Sequence, residues 1–180
     1  MTLQDVAAGV DHLRSVARDH PLDLDRVVAV GHSAGGHLVL WLGARPTLDD
    51  AARRGDDPLA LAGVVSLAGV DDLRRALNEG VCGDMAAQLV GGTPDEMPAR
   101  YALASPIELL PTGVPKHLVN GSRDPIVPEA FGRAYAAAAT RAGDAVERTV
   151  LPDAGHFELV APMASEWPTV RDLFLEMIRR

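Results

Sequence analysis

The stretch "RVVAVGHSAGGHLVLWLGAR", residues 26–45, constrains this chain more than any other. A short β-branched run ends at Gly31, and after Ser33 the apolar residues recur at helical spacing from about Ala34 to Ala44. A strand therefore hands over to a helix within a few residues, and the hydroxyl of Ser33 stands at the corner. Such a corner crowds the backbone, so small residues such as Gly31 and Gly35 are needed there if close elements are not to clash. The pattern is the glycine-x-serine-x-glycine elbow, which lifts a serine hydroxyl above the tip of a strand. The helix starting at Ala34 presents free amides at that place, and the Ala34 N–H is expected to act as one donor to an oxyanion. The plainer alternative leaves Ser33 as a helix N-cap.

The rest of the chain alternates in the same way. "LAGVVSLAG", "KHLVNG" and "AVERTVLP" read as further strands, and "VDDLRRALNEG", "EAFGRAYAAAATRAG" and "ASEWPTVRDLFLEMIRR" as helices. Ahead of the elbow, Leu3, Val6, Ala7, Val10, Leu13, Val16 and Ala17 form the stripe of one core-packed helix, with Thr2 and Asp5 as a weak cap. "TLDDAARRGDDP" reads as a charged surface loop, in which the Arg-Gly-Asp tripeptide at residues 54–56 is a chance occurrence. Residues 81–112, rich in Pro and Gly, read as a lid-like insertion of short helices within a single domain spanning 1–180. Strands alternating with helices imply the α/β class, with a mostly parallel sheet covered by helices on both faces.

A serine at neutral pH is a weak nucleophile, so the elbow needs a base and a group that orients it. Asp124, just past the third strand, and His156, just past the fourth, stand in the right order. Loops that follow parallel strands gather at one sheet edge, so Ser33, Asp124 and His156 are expected to converge there. Asp153, three residues before His156, reads as a loop-shaping residue, and Asp71 and Asp72 after the second strand are alternative acids. His32 and His37 flank the serine at a spacing that does not suit metal ligation, while His12, His20 and His117 read as surface or loop residues. No metal or organic cofactor is implied.

The stretches "GHSAGGHLVLWLGAR", "YALASPIELLP", "HLVNGSRDPIVP" and "LPDAGHFELV" resemble the α/β-hydrolases of the esterase/lipase superfamily, over nearly the whole chain. They look most like the bacterial group with carboxylesterase and kynurenine formamidase-like members. The resemblance implies an acyl-enzyme mechanism, with Ser33 as nucleophile, His156 as general acid/base and Asp124 as its orienting carboxylate. Small short-chain esters are the expected substrates, and N-formyl or peptide amides are the alternatives. Met85, Leu89, Met97, Tyr101 and Leu103 are candidates for a modest apolar substrate pocket, or else pack the lid onto the core.

The chain departs from that family before the elbow, where only one helix and one strand precede Ser33 and the loop that usually carries a second oxyanion donor is missing. Two explanations stay open: a piece of a longer hydrolase, which is preferred, or a short protein whose open sheet edge a partner covers. That edge makes a homo-oligomer an expectation, and a non-catalytic domain the rival to an enzyme. The formal net charge of −8 leaves no footprint for nucleic acid or an anionic membrane. With no apolar run of membrane-spanning length and no secretion signal, a cytoplasmic location is expected. Cys82 is the sole cysteine, so no intrachain disulfide forms.

Overall fold

The computed structural model of the chain describes residues 2–179. The chain opens with α1 (Thr2–Asp11) and α2 (Leu13–Val16), then enters β1 (Val28–His32) and the elbow helix α3 (Ala34–Ala44). After α4 (Ala51–Arg54) come β2 (Gly63–Leu67) and the short helices α5 (Leu73–Asn78), α6 (Met85–Val90) and α7 (Pro98–Ala104). The strand β3 (Lys116–Gly121), α8 (Ala130–Ala142), β4 (Val146–Leu151) and α9 (Trp167–Arg179) complete the order.

The four strands form one parallel sheet in the order β1-β2-β3-β4. Every residue of β2 and β3 is buried, whereas β1 and β4 are partly exposed along their length. This is the pattern of inner strands covered on both faces, flanked by strands with one neighbour each. Side chains alternate between the faces. Val64 and Leu118 meet Leu40 of α3, Tyr135 and Ala139 of α8, and Ala7 of α1. Val65, Leu67 and Val119 face the other way, toward Val170 and Met177 of α9. The α/β class and the helices on both faces are therefore as the alternating pattern implied.

Four local expectations are corrected. The stripe of the first helix is interrupted by a turn at His12, whose dihedrals stay helical (φ −61°, ψ −22°), so α1 and α2 keep nearly the same course. Thr2 is already helical, so the cap position falls outside the described residues. The segment 47–58 is more than a charged loop: Leu48 is buried, α4 forms within it under an Asp50 cap, and its main-chain carbonyls at Arg53 and Arg54 receive Arg45 Nε. His117 is buried on β3, with Nε2 2.8 Å from Thr149 Oγ1 on the adjacent strand, so it is neither a surface nor a loop residue. His12 and His20 are exposed.

The segment 81–112 is tied to the elbow helix. Trp41 of α3 is fully buried and its indole N–H donates to the Leu103 carbonyl at 2.9 Å, while His37 Nε2 donates to the Ala104 carbonyl at 2.9 Å. A carbonyl can only accept, so Nε2 of His37 carries its proton, and burial holds that imidazole below its ordinary pKa. No described helix is long and apolar enough to cross a membrane.

Candidate active site

The elbow is a place of measurable backbone strain. Ser33 has φ 56° and ψ −117°, a conformation that side-chain-bearing residues avoid. The ladder to β2 nonetheless runs on past β1, because Ser33 N–H donates to the Leu67 carbonyl at 2.8 Å. Helix α3 begins at the next residue, so the Ala34 N–H is the first of the amides that an α-helix leaves without an internal acceptor.

The crowding is real at Gly31, as expected, but on the helix it falls at Gly36, one residue past Gly35. A Cβ on Gly31 would lie 2.1 Å from the Gly35 carbonyl oxygen. Gly35 itself has open space, whereas a Cβ on Gly36 would sit 2.6 Å from Gly69 Cα and 2.8 Å from Ser66 Oγ. Gly31 and Gly36 are therefore the glycines that close packing demands, and Gly35 is not. Two consecutive glycines at 35–36 and the Gly69 that ends "LAG" were the available signals.

At the neighbouring strand ends the expected acid and base meet. His156 Nδ1 lies 2.6 Å from Asp124 Oδ2, and both side chains are buried. The other oxygen, Asp124 Oδ1, accepts the Ile126 and Val127 amides at 2.8 and 2.9 Å. This carboxylate thus has both oxygens engaged, which fixes the imidazole plane and leaves Nε2 as the free ring nitrogen. Gly121 makes the convergence possible, since a Cβ there would stand 2.4 Å from the carbonyl oxygens of Ala154 and Gly155. The His156 loop lies directly on the end of β3 and is pinned there by Arg123 N–H on the Ala154 carbonyl at 2.9 Å.

Two of the rival acids, Asp153 and Asp72, are otherwise engaged, and none of the three is bonded to His156. Asp153 is exposed and pairs with Arg123 at 2.5 Å, which is the loop-shaping part expected of it. Asp72 caps α5 by accepting the Arg75 amide at 3.0 Å. Asp71 is buried, and its carbonyl receives the Ile107 amide at 3.0 Å. No hydrogen bond joins Ser33 Oγ to His156 among the described residues, and in ligand-free enzymes such a bond is commonly long and tightens only with substrate.

Beside the elbow opens an apolar cavity of about 260 Å³, lined by Ala34 and His37 of α3, Val70, Leu73, Met85 and Leu89. Met85 and Leu89 are thus pocket residues. Tyr101 is fully buried with its hydroxyl on the Gly92 carbonyl, and Met97 and Leu103 pack against the two cores, so these three pack the segment 81–112 onto the core. Chemically the arrangement offers a partly buried hydroxyl, a buried oriented imidazole, a free amide and an apolar slot at one sheet edge.

The BD-FAE family model matches residues 1–138, which include Ser33 and Asp124. The chain belongs to the BD-FAE family. Among curated relatives of this family member, the esterase LipQ of Mycobacterium tuberculosis is 32% identical over 168 residues, covering 89% of this chain and 40% of LipQ. The chain therefore spans less than half the length of that relative. A truncated carbohydrate esterase from gut microbiota superposes with a TM-score of 0.80 at 21% identity, over 99% of this chain and 68% of that one. A thermophilic esterase from Thermogutta terrifontis with propionate bound superposes with a TM-score of 0.75 at 21% identity, over 98% and 64%. The fold is accordingly the α/β-hydrolase fold that the sequence resembled.

Proposed function

We propose that this chain carries the acyl-transfer centre of a serine ester hydrolase. The observation that carries the reading is the buried 2.6 Å Asp124–His156 pair beside a strained Ser33 at the head of α3. Asp124 holds His156 in the tautomer with its proton on Nδ1, so Nε2 is the base. As Ser33 Oγ attacks the ester carbonyl, its proton passes to His156 Nε2 and the carbonyl electron pair moves to oxygen, beside the Ala34 N–H. Collapse of this tetrahedral species breaks the bond to the alcohol, which leaves with the proton from His156 and gives the Ser33 acyl ester. Water then attacks with His156 as base again, and the acid is released.

The apolar cavity of about 260 Å³ at Ala34 suits a short acyl group, and the propionate bound to the Thermogutta esterase accords with that size. Named esterases among the relatives favour ester over amide as the substrate. The test exposes the chain and its Ser33→Ala variant to a fluorophosphonate, read by intact mass. Labelling of the parent alone is the expected result, and equal labelling of the variant sinks the assignment of Ser33.

One observation favours a second reading. β1 is an edge strand among the described residues, with Val30 40% exposed, so the chain can act as an assembly unit that pairs through this edge with a second copy. In that case sedimentation gives a dimer and the fluorophosphonate leaves a folded parent unlabelled.

A further inference from the structure

We propose that His32, the residue between Gly31 and Ser33, is a positioning residue that holds the His156 loop at its working height above the nucleophile. This rests on the hydrolase reading of Ser33 and His156. His32 Nε2 lies 2.9 Å from the main-chain carbonyl of His156. Because a carbonyl only accepts, His32 is the donor and its proton is on Nε2. The same ring packs on the His156 ring, with centroids 4.4 Å apart and planes 51° to one another. One side chain therefore touches both the main chain and the imidazole of the base, and that side chain is the immediate neighbour of the nucleophile.

The span of this contact gives it its meaning. Ser33 follows the outer strand β1 and His156 follows β4 at the opposite edge, with β2 and β3 between them. The sheet alone sets their separation only through three strand pairings, whereas the His32 bond joins the end of β1 directly to the His156 loop. Phe157 completes the enclosure, edge-on to His156 at 5.2 Å and 6.0 Å from His32. The titratable groups that face His32 are His156 and, at longer range, Asp124; burial, foremost, holds His32 below the ordinary imidazole pKa. A neutral His32 leaves room for the positive charge that His156 takes up when it removes the Ser33 proton. Misplacing a base by about 1 Å costs on the order of a hundredfold in rate, so the strut is expected to matter through geometry.

Three chains decide the matter: the parent, His32→Leu, which keeps the volume and loses the donor, and His32→Gln, whose amide nitrogen reaches the same carbonyl. Should His32→Leu not fold, His32→Asn, whose amide is too short to reach it, takes its place. Each is measured by fluorophosphonate labelling rate, by kcat and KM on p-nitrophenyl acetate, by thermal midpoint, and by the downfield proton resonance of His156 Nδ1–H. The donor-less variant is expected to lose about 10- to 100-fold in labelling rate and kcat, with KM within about twofold and the His156 resonance shifted or broadened. His32→Gln is expected to recover to within about threefold of the parent and to restore the resonance. Parent-like labelling and an unchanged resonance in His32→Leu overturn the inference, as does a His32→Gln no better than His32→Leu. A parent that is itself unlabelled refutes Ser33 as the nucleophile, and the His156 resonance then decides the role of His32 by itself.

Discussion

Strand β3 carries a buried carboxylate pair at each of its ends, and the two are built for different purposes. At its start, Lys116 Nζ donates to Asp144 at 2.8 Å, to Thr112 Oγ1 at 2.8 Å and to the Val114 carbonyl at 2.9 Å. Asp144 in turn accepts the Thr112 and Gly113 amides. All three protons of the ammonium group have acceptors, so nothing is left over for chemistry. Past the other end, Asp124 is as thoroughly satisfied, but its partner His156 uses only Nδ1. A saturated pair can only hold the structure in place, whereas a pair with one spare nitrogen can hold that nitrogen ready for a proton.

This contrast can be tested from its strongest consequence downward. Asp124→Asn should leave the fold intact and lower kcat by about 10³- to 10⁴-fold, because the amide stabilises the wrong tautomer of His156 and cannot balance an imidazolium; circular dichroism together with ester turnover measures both halves. At the other end, Asp144→Ala strands a buried ammonium, so urea unfolding should show a loss of about 3–5 kcal/mol while the folded fraction keeps its fluorophosphonate reactivity. A loss of reactivity without a loss of stability would erase the distinction between the two ends.

A third buried carboxylate extends the comparison. Asp71 is 2% exposed, has no partner at Oδ1, and burial pushes its pKa up from 3.8 to about 8. Burial and the neighbouring Asp72 outweigh the nearby Arg75 charge, so this group keeps its proton instead of its charge. The unfolded chain ionises Asp71 near 3.8 and the folded chain near 8, so the contribution is present in acid and is lost as pH rises through that window. Asp71→Asn cannot titrate. Its stability relative to the parent should therefore climb between pH 5 and 8 by up to about 1.4 kcal/mol per pH unit, read from urea midpoints.

What could be read from the sequence follows from where each contact lies along the chain. The elbow, the strand–helix alternation and the order Ser33, Asp124, His156 are local signals, and the parallel sheet converts them into a meeting at one edge. The crowding at Gly36, the His32 contact and the burial of His117 depend on partners 33, 124 and 32 residues away, which no window of residues reveals. Arg45 shows the same limit: it looks like a helix-end surface residue, yet it is 4% exposed and bonded to Asp11. The lid residues divided for a related reason, since an apolar residue in a short helix has the same appearance whether it faces a cavity or a core.

Cys82 is the sole thiol of the chain, it is exposed, and it lines the cavity that starts at Ala34. The unmodified protein therefore accepts a single environment-sensitive fluorophore, without background labelling, at the wall of the slot proposed for an acyl group. Filling and emptying of that slot then becomes a signal that can be followed in real time.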